Sequence, residues 1–453
     1  MRGWQGFADA VDAAAPAHLE ACRAALQDSN AFLGCRSLRR YQDGLLADGH
    51  FIVPSPFAGA PVAVEAGFVR PTASIFYVFG GDPPFGVLAE ETGRGYPLGA
   101  LVTEGGWTAL DDGTLRQRPE ALRDLLGQAR QRGQAWRAVA PTRAIVGHRN
   151  FAHGLWNEFP ALDLASRRGR VFSVAPIFDP LRLFRRHAAR EGLDTGPVAT
   201  SGTYTGWSDR PVTHLGAIHC GEDARIGMQA LLFSAAMPRP DTRPTVYFSV
   251  RESGRTMVNQ KEFIRTVCRR LAQATPGLRV LIDGFSVPAD LADPIYDPLR
   301  DDIRAKVART RKLTAALQRS IGRIAGLTVT DLTGLDLLTA LPVIGTASFY
   351  VVHPGTSHHK IGWVFPIPGV MHGNSENLSV PALRWHARQV CGVRVPVGLP
   401  AELVETLDTT DQRPRTMRNM DYRVTDVDAA AEFVVREWLA SRAGGAVAGP
   451  SPP

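Results

Sequence analysis

The sequence is poor in lysine, in paired cysteines and in uninterrupted apolar stretches. Of its 51 basic residues only four are lysine, and the other 47 (51 − 4) are arginine. The five cysteines form no C-x-x-C pair, which excludes a cysteine zinc site of that type and indicates a reducing compartment. The most apolar region, 332–352, is interrupted by Asp336 and Pro342, so it cannot supply a membrane span of about 20 residues.

The amino-terminal residues also lack the pattern of a secretory signal. Asp9 and Asp12 come before any long apolar run, whereas a signal peptide needs an uncharged apolar core. Together these absences predict a soluble, cytoplasmic protein with at most peripheral membrane contact.

Three common nucleotide and nucleophile motifs are missing as well. We find no G-x-x-x-x-G-K-[ST] phosphate loop, no dinucleotide fingerprint after a strand and no G-x-S-x-G turn. Their absence argues against a P-loop ATPase, a dinucleotide oxidoreductase and a serine hydrolase with a nucleophile elbow.

What is present is a basic chain of ordinary globular composition. Its 453 residues predict two domains, and its formal net charge is +7. The basic stretch 304–323 contains no aromatic residue that could stack on a base, so we expect no nucleic-acid partner. Arginine is the planar, bidentate binder of phosphate, so small phosphorylated ligands suit this chain better.

The pattern along the chain predicts an α/β protein with two lobes. In the second half, short apolar runs alternate with long amphipathic stretches, which indicates a parallel sheet flanked by helices on both faces. The predicted strands are Thr245–Val250, Leu278–Ile282, Leu327–Asp331 and Ser348–Val352. The predicted helices are Pro119–Arg132, Gln260–Ala274, Asp301–Ile324, Leu332–Leu341 and Val427–Arg442.

The domain boundary is expected in the stretch Gly196–Pro211, which is rich in Gly, Ser, Thr and Pro. We therefore predict a mixed α/β amino-terminal lobe over 1–210 and a nucleotide-binding carboxy-terminal lobe over 211–440. A tail of small residues, 441–453, is expected to be disordered.

The first candidate segment for chemistry is dense in imidazoles and amides. It contains His148, Asn150, His153, Asn157 and Glu158. On a helix His153 and Asn157 share a face, and imidazole suits a base that takes a proton from a hydroxyl near neutral pH. The pattern leaves open whether His153 or Glu158 is that base.

The second candidate segment follows a predicted strand. Arg251 and Arg255 lie on either side of a Ser-Gly turn, and Asn259 is expected to begin or cap the next helix. Two guanidinium groups beside a helix start predict an anion site.

The third candidate segment follows a later strand and begins at His353. A turn at Gly355 would let backbone amides approach a ligand, and Thr356 and Lys360 offer donors to a phosphate. The adjacent His358 and His359 point apart on a regular element, so we predict no metal site here.

Taken in order, these segments resemble family 61 glycosyltransferases. The shared pattern is N-x-x-H before an apolar-aromatic helix and a proline, then R-x-x-x-R-x-x-x-N-x-x-E after a strand, then a late H-x-G loop. In this chain the matching residues are Asn150, His153, Trp156, Pro160, Arg251, Arg255, Asn259, Glu262, His353 and Gly355. The resemblance spans Gly147 to about Asn377.

The resemblance implies a GT-B fold and an inverting, metal-independent transfer of a hexosyl or pentosyl group. The donor would be a nucleotide sugar, with no further cofactor, and the acceptor a glycan or lipid-linked hydroxyl of bacterial polysaccharide biosynthesis. Residues on the donor side would be Arg251, Arg255, Asn259, His353, Gly355, Thr356 and Lys360. His148, Asn150 and Asn157 would lie on the acceptor side, with His153 or Glu158 catalytic. Two alternatives stay open: a non-catalytic glycan- or nucleotide-binding protein of the same fold, and a histidine-dependent metallohydrolase.

Overall fold

The structure is a computed structural model that describes most of the chain. The described ranges are 16–29, 42–47, 51–69, 74–89, 99–109, 119–132, 142–148, 150–196, 206–217, 219–233, 237–407 and 419–443.

The chain divides into two compact units, Met1–Cys220 and Gly221–Pro453. The boundary therefore falls at Cys220 and not at residue 210, where composition placed it. The reason is a short strand, Val212–His214, that pairs with Arg143–Val146 and so belongs to the first unit. Each unit is described by itself below.

The first unit contains an antiparallel sheet whose strands follow one another in chain order, with β10 added beside β2. The strands are β1 (Ile52–Pro54), β2 (Pro61–Val69), β3 (Ile75–Phe79), β4 (Phe85–Ala89), β5 (Gly99–Thr103), β6 (Gly106–Ala109) and β10 (Gly206–Trp207).

The central strand β3 is buried on both faces. Ile75, Tyr77 and Phe79 pack into one apolar cluster, and the alternate residues Phe76 and Val78 pack into another with helix α2, Pro119–Arg132. The period of two in a strand sends successive side chains to opposite faces, which explains why this short run is apolar throughout. The predicted bounds of α2 are confirmed.

A small parallel sheet completes the first unit, in the order β11-β7-β8-β9. Its strands are β7 (Arg143–Val146), β8 (Ser173–Pro176), β9 (Asp194–Thr195) and β11 (Val212–His214). Its helices are α3 (Phe159–Arg167) and α4 (Leu183–Glu191), and an earlier helix, α1, spans Pro16–Ser29. The first unit is therefore a mixed α/β structure, as predicted.

The described part of the second unit holds a parallel sheet of six strands, in the order β14-β13-β12-β15-β16-β17. The strands are β12 (Thr245–Ser249), β13 (Arg279–Asp283), β14 (Thr328–Asp331), β15 (Phe349–Val352), β16 (Gly369–Met371) and β17 (Val397–Gly398). The predicted parallel sheet is confirmed, and β16 and β17 extend it beyond the strands that the sequence predicted.

Helices flank this sheet. They are α5 (Glu222–Leu232), α6 (Gln260–Ala274), α7 (Arg300–Ile321), α8 (Leu337–Ile344), α9 (Val380–Gln389) and α10 (Val427–Ala443). The bounds predicted for α6 are confirmed. Helix α8 begins later than predicted because the Asp336 side chain accepts a hydrogen bond from the Thr339 amide and caps it there.

A two-stranded antiparallel hairpin, β18 (Val404–Leu407) and β19 (Asp421–Val424), precedes α10. Helix α10 reaches Ala443, so the first three residues of the predicted disordered tail are helical, and the rest of that tail lies outside the described residues. Within the described ranges, no helix combines the length and the apolar character needed to cross a membrane.

Candidate functional site

The sheet of the second unit changes direction between β12 and β15. If β12 is counted as the first strand, the order across the sheet is 3-2-1-4-5-6. The chain therefore continues from β12 toward one edge of the sheet and from β15 toward the other. In open parallel sheets a crevice forms beyond the carboxyl ends of the strands at such a point, and ligands bind there. The loops that begin at Val250 and at His353 therefore border the expected ligand position.

The loop after β12 presents two arginines on a fixed backbone. The Gln260 side chain accepts a hydrogen bond from the Arg251 amide at 3.2 Å and donates to the Arg251 carbonyl at 2.7 Å. The Arg251 Nε donates to the Ser253 carbonyl at 2.9 Å. Arg255 has a φ of 57°, a conformation that costs free energy in any residue except glycine. The loop thus holds Arg255 in an unfavourable backbone conformation.

The two guanidinium groups are half-buried, and among the described residues neither Arg251 nor Arg255 forms an ion pair. The Asp421 carboxylate acts on Arg251 only through a weaker electrostatic attraction. Burial lowers the pKa of Arg251 to about 10, with repulsion from Arg255 as the next cause. Burial also lowers the pKa of Arg255. Both groups still carry their charge at neutral pH, so this loop presents two positive charges that an anion would neutralise.

His353, at the carboxyl end of β15, is held on both ring nitrogens. Ser249 Oγ lies 2.8 Å from Nδ1 and accepts the His353 backbone amide at 3.1 Å, and Ser357 Oγ lies 3.1 Å from Nε2. The hydroxyls of Ser249 and Ser357 therefore hold the ring from both sides. Burial, and then Arg251, lowers the pKa of His353 well below its usual value. The ring is therefore neutral.

Gly355 lies next to the Arg255 side chain. The segment that contains the two arginines and the segment that begins at His353 are therefore adjacent in the structure. A Cβ built on Gly355 would lie 3.2 Å from Arg255 Nη2. The φ of Gly355 is 103° with ψ at −148°, a region open in practice only to glycine. Thr356 follows, half-buried, at the start of a short helical turn.

His372, at the end of β16, is part of the same edge. Its ring centroid lies 6.4 Å from that of His353, and Nδ1 lies 2.6 Å from the Tyr422 hydroxyl. Burial lowers the pKa of His372 to about 3. The polar turn at 371–376 is visible in the sequence, but its contact with Tyr422 of β19 is not.

Lys360 is committed to an ion pair that sequence reasoning missed. Its Nζ donates to Asp283 Oδ2 at 2.7 Å and to Ser286 Oγ at 2.8 Å, and the Tyr247 hydroxyl donates to the same Asp283 oxygen at 2.6 Å. Both charged side chains are almost fully buried. The expectation of an ammonium available to a phosphate is corrected, because Asp283 neutralises it.

Asn259 also has a different role from the one expected. It precedes α6, but its side chain makes no cap to that helix. Instead Oδ1 accepts the Val424 amide at 3.1 Å and Nδ2 donates to the Val424 carbonyl at 2.9 Å. Asn259 therefore links the loop that carries Arg251 and Arg255 to β19. Both polar atoms of its side chain are already hydrogen-bonded to the backbone of Val424.

In the first unit, His153 and Asn157 share a face as predicted. The helix there is interrupted by a π-helical turn, Gly154–Glu158. Asn157 Nδ2 donates to the Ala217 carbonyl at 2.6 Å, which turns Oδ1 toward His153 Nδ1 at 2.9 Å. Because Oδ1 can only accept, His153 donates from Nδ1, so Nε2 is the nitrogen that could serve as a base.

The other predicted residues of this segment shape the backbone. Glu158 is buried, and its Oε2 accepts the amides of Gly147 at 2.7 Å and His148 at 3.0 Å. Asn150 accepts the Ala152 amide and caps the helix start. The rings of His148 and His153 lie 4.5 Å apart. Of His153 and Glu158, the histidine is the more exposed.

The structure also groups His358 and His359 with a third imidazole, His386 of α9, and one possible ligand nitrogen from each lies within 4.8 Å of the others. The expectation that the adjacent pair points apart is corrected, because a π-helical turn, His359–Trp363, replaces the regular element assumed.

Comparisons with known proteins give little further information. No protein-family model matches the sequence, and no curated protein matches it. Among solved structures, the chain is similar to the ADP-heptose LPS heptosyltransferase II of E. coli at 12% identity, over 66% of this chain and 98% of that one, with a TM-score of 0.31. It is also similar to the tyrosyl-tRNA synthetase of Leishmania major at 11% identity, over 50% of this chain and 41% of that one, with a TM-score of 0.21. At such low scores neither similarity supports a conclusion about this chain, and the resemblance to family 61 glycosyltransferases depends on its motifs alone.

Proposed function

We propose that this protein is an inverting, metal-independent glycosyltransferase that uses a nucleotide sugar, with a glycan or lipid-linked hydroxyl as acceptor. The observation that supports it most is the pair Arg251 and Arg255, half-buried and without an ion pair among the described residues. They lie at the direction change of a parallel sheet, where phosphorylated ligands bind in many α/β proteins.

The charge of this loop suits the departure of a nucleoside diphosphate. As the acceptor oxygen bonds to the anomeric carbon, the bond from that carbon to the diphosphate oxygen breaks, and its electron pair goes to the leaving group. Two fixed guanidinium groups stabilise the negative charge that develops on the phosphates. The Ser357 hydroxyl, 3.1 Å from His353 Nε2, is a further polar group in this loop that could contact the same ligand.

The donor-side assignment is tested by replacing each arginine with glutamine. Hydrogen bonds to charged groups contribute about 1.5–3 kcal/mol, so R251Q and R255Q are each expected to weaken nucleoside diphosphate binding by about tenfold or more. Isothermal titration calorimetry against the common nucleoside diphosphates, without divalent metal, measures this loss.

The matched control is Arg304→Gln on α7, because Arg304 is two-thirds exposed (66%) and pairs only loosely with Asp301 at 3.7 Å. It is expected to bind like the unmodified protein. Equal binding by R255Q and R304Q, or no binding of any diphosphate by the unmodified protein, would contradict the donor-side proposal.

The catalytic assignment of His153 is the second prediction. A ring with its lone pair on Nε2 can accept the acceptor's hydroxyl proton, so H153N is expected to slow transfer by about 100-fold or more while donor affinity stays unchanged. Turnover is followed by nucleotide release from a panel of nucleotide sugars, and the anomeric configuration of the product by NMR.

His18→Asn serves as the control, since His18 is half-buried on helix α1 and lies in none of the three candidate segments. If H153N and H18N slow transfer alike, His153 is not the base. Binding of a diphosphate by a protein that releases no nucleotide from any donor would instead favour the non-catalytic alternative.

A further inference from the structure

Three histidine side chains of the second unit lie close together. They come from segments of the chain far in sequence from Arg251 and Arg255. His358 ends a short helical turn, Thr356–His358, and His359 begins the π-helical turn that follows. His386 comes from α9, a separate element. The ring centroids of His358 and His386 are 4.5 Å apart, and those of His359 and His386 are 5.9 Å apart. Two elements therefore contribute to one cluster.

The cluster is buried and its polar atoms are not all satisfied within the described residues. The exposed fractions of His358, His359 and His386 are 0%, 8% and 6%. The Nδ1 atoms of His358 and His386 have no hydrogen-bond partner in the part of the chain that the structure describes. A buried polar atom without a partner costs free energy, so each of these nitrogens is available to a ligand that the protein atoms do not provide.

Neighbouring aromatic and hydroxyl groups hold the rings in place. Trp363 stacks on His359 with ring centroids 3.7 Å apart. The Tyr350 hydroxyl lies 3.3 Å from His358 Nε2, which leaves Nδ1 of His358 to face another ligand.

From this arrangement we infer that His358, His359 and His386 bind one divalent transition-metal ion of the zinc class. Tetrahedral Zn–N bonds of about 2.0–2.1 Å require ligand nitrogens roughly 3.4 Å apart, and these nitrogens already lie within 4.8 Å of one another. Binding would require the side chains to rotate and bring the nitrogens closer together. Three imidazoles without thiolate or carboxylate suit Zn²⁺, Ni²⁺ or Cu²⁺ more than Mg²⁺ or Ca²⁺.

The role of this ion is to join two elements. It would link the segment after β15, which contains Ser357 and Lys360, to α9, and so restrict the motion of the loop that carries Gly355. The site is buried and takes no part in the proposed transfer. Failure of the glycosyltransferase proposal would therefore leave the metal-site inference unaffected, and the reverse is also true.

The test is metal binding by the full-length protein, stripped with chelator and then dialysed against Zn²⁺ or Co²⁺. We expect one equivalent of Zn²⁺ by elemental analysis, a Co²⁺ absorption spectrum of tetrahedral type, and a higher melting temperature with metal. Even removal of a group hydrogen-bonded to a metal-ligating histidine weakens metal binding by about tenfold to a hundredfold, so H386Q is expected to lose at least that much affinity.

The control is His187→Gln. His187 is a fully buried histidine of the first unit that bonds Ser166, so its removal is expected to leave Zn²⁺ affinity unchanged. H359Q serves as a second variant should H386Q fail to fold. Substoichiometric Zn²⁺ in the reconstituted protein, an octahedral Co²⁺ spectrum, or equal affinities of H386Q, H359Q and H187Q would each overturn the inference.

Discussion

At the scale of single residues, buried imidazoles give the second unit a sensitivity to acid. His372 lies 4% exposed beside Tyr422, and burial lowers its pKa to about 3. In the unfolded chain the same ring protonates near its ordinary value of 6.5. The unfolded state therefore binds the additional proton first, and the contribution of the neutral ring to stability is complete above pH 6.5 and declines as the pH falls toward 3.

The corresponding prediction uses H372Q, which keeps an acceptor for the Tyr422 hydroxyl but cannot titrate. One pKa unit is about 1.4 kcal/mol, so between pH 7 and pH 5 the unmodified protein is expected to lose roughly 2 kcal/mol more of unfolding free energy than H372Q does. Urea unfolding at the two pH values measures the difference. An equal loss in both proteins would mean that His372 protonates normally in the fold.

Which polar side chains border the carboxyl ends of β12 and β15 was predictable at this scale, but their partners were not. Arg251, Arg255 and His353 follow apolar runs that read clearly as strands. Lys360 follows such a run too, yet Asp283, its partner, is 77 residues away in sequence. No local pattern indicates a pair of that kind, because it depends on the order of strands in the sheet.

At the scale of elements, two helices were predicted with the bounds that the structure has, whereas α8 was placed too early, and α5, α9 and the irregular turns were not predicted. Helices α2 and α6 have the predicted bounds because a single amphipathic stripe defines each one. The π-helical turns at Gly154–Glu158 and His359–Trp363 have no comparable periodicity. Such turns are frequent at functional sites, and here both occur in segments predicted to be functional.

The loop after β15 depends on a glycine, which gives an element-scale prediction. In G355A the added methyl group would lie 3.2 Å from Arg255 Nη2, and the backbone φ of 103° would be strained. We expect a loss of about 1–3 kcal/mol of unfolding free energy together with weaker nucleoside diphosphate binding, both measured on the purified variant.

The control for that change is Gly127→Ala in α2, where an added Cβ meets nothing within 4 Å. Alanine favours the helix by up to about 1 kcal/mol over glycine, so G127A is expected to be at least as stable as the unmodified protein. A G355A protein as stable as G127A, with unchanged diphosphate binding, would show that the loop tolerates a side chain.

At the scale of the whole molecule, each compact unit has a core built from its own residues. Among the described residues, an apolar cluster of the second unit runs from Val246 to Trp438, and two clusters of the first unit contain residues from Leu19 to Val212. Cores of this kind allow a domain to fold by itself.

We therefore expect the fragment Gly221–Ala443 to unfold cooperatively when expressed alone. Because it contains both Arg251 and Arg255, it is also expected to bind nucleoside diphosphates with an affinity close to that of the full chain. Thermal unfolding and calorimetry test both statements. A fragment that unfolds without a cooperative transition, beside a cooperative full chain, would contradict the independence of the second unit.

The sequence by itself determined the α/β class, the parallel sheet and the three polar segments, because apolar periodicity and strand-end residues are local properties of the chain. Only the tertiary structure decided that Gly355 meets Arg255, that Asp283 neutralises Lys360, and that His386 joins His358 and His359. These contacts join residues from different elements, and their distances are set by strand order and helix packing, which no spacing along the chain encodes.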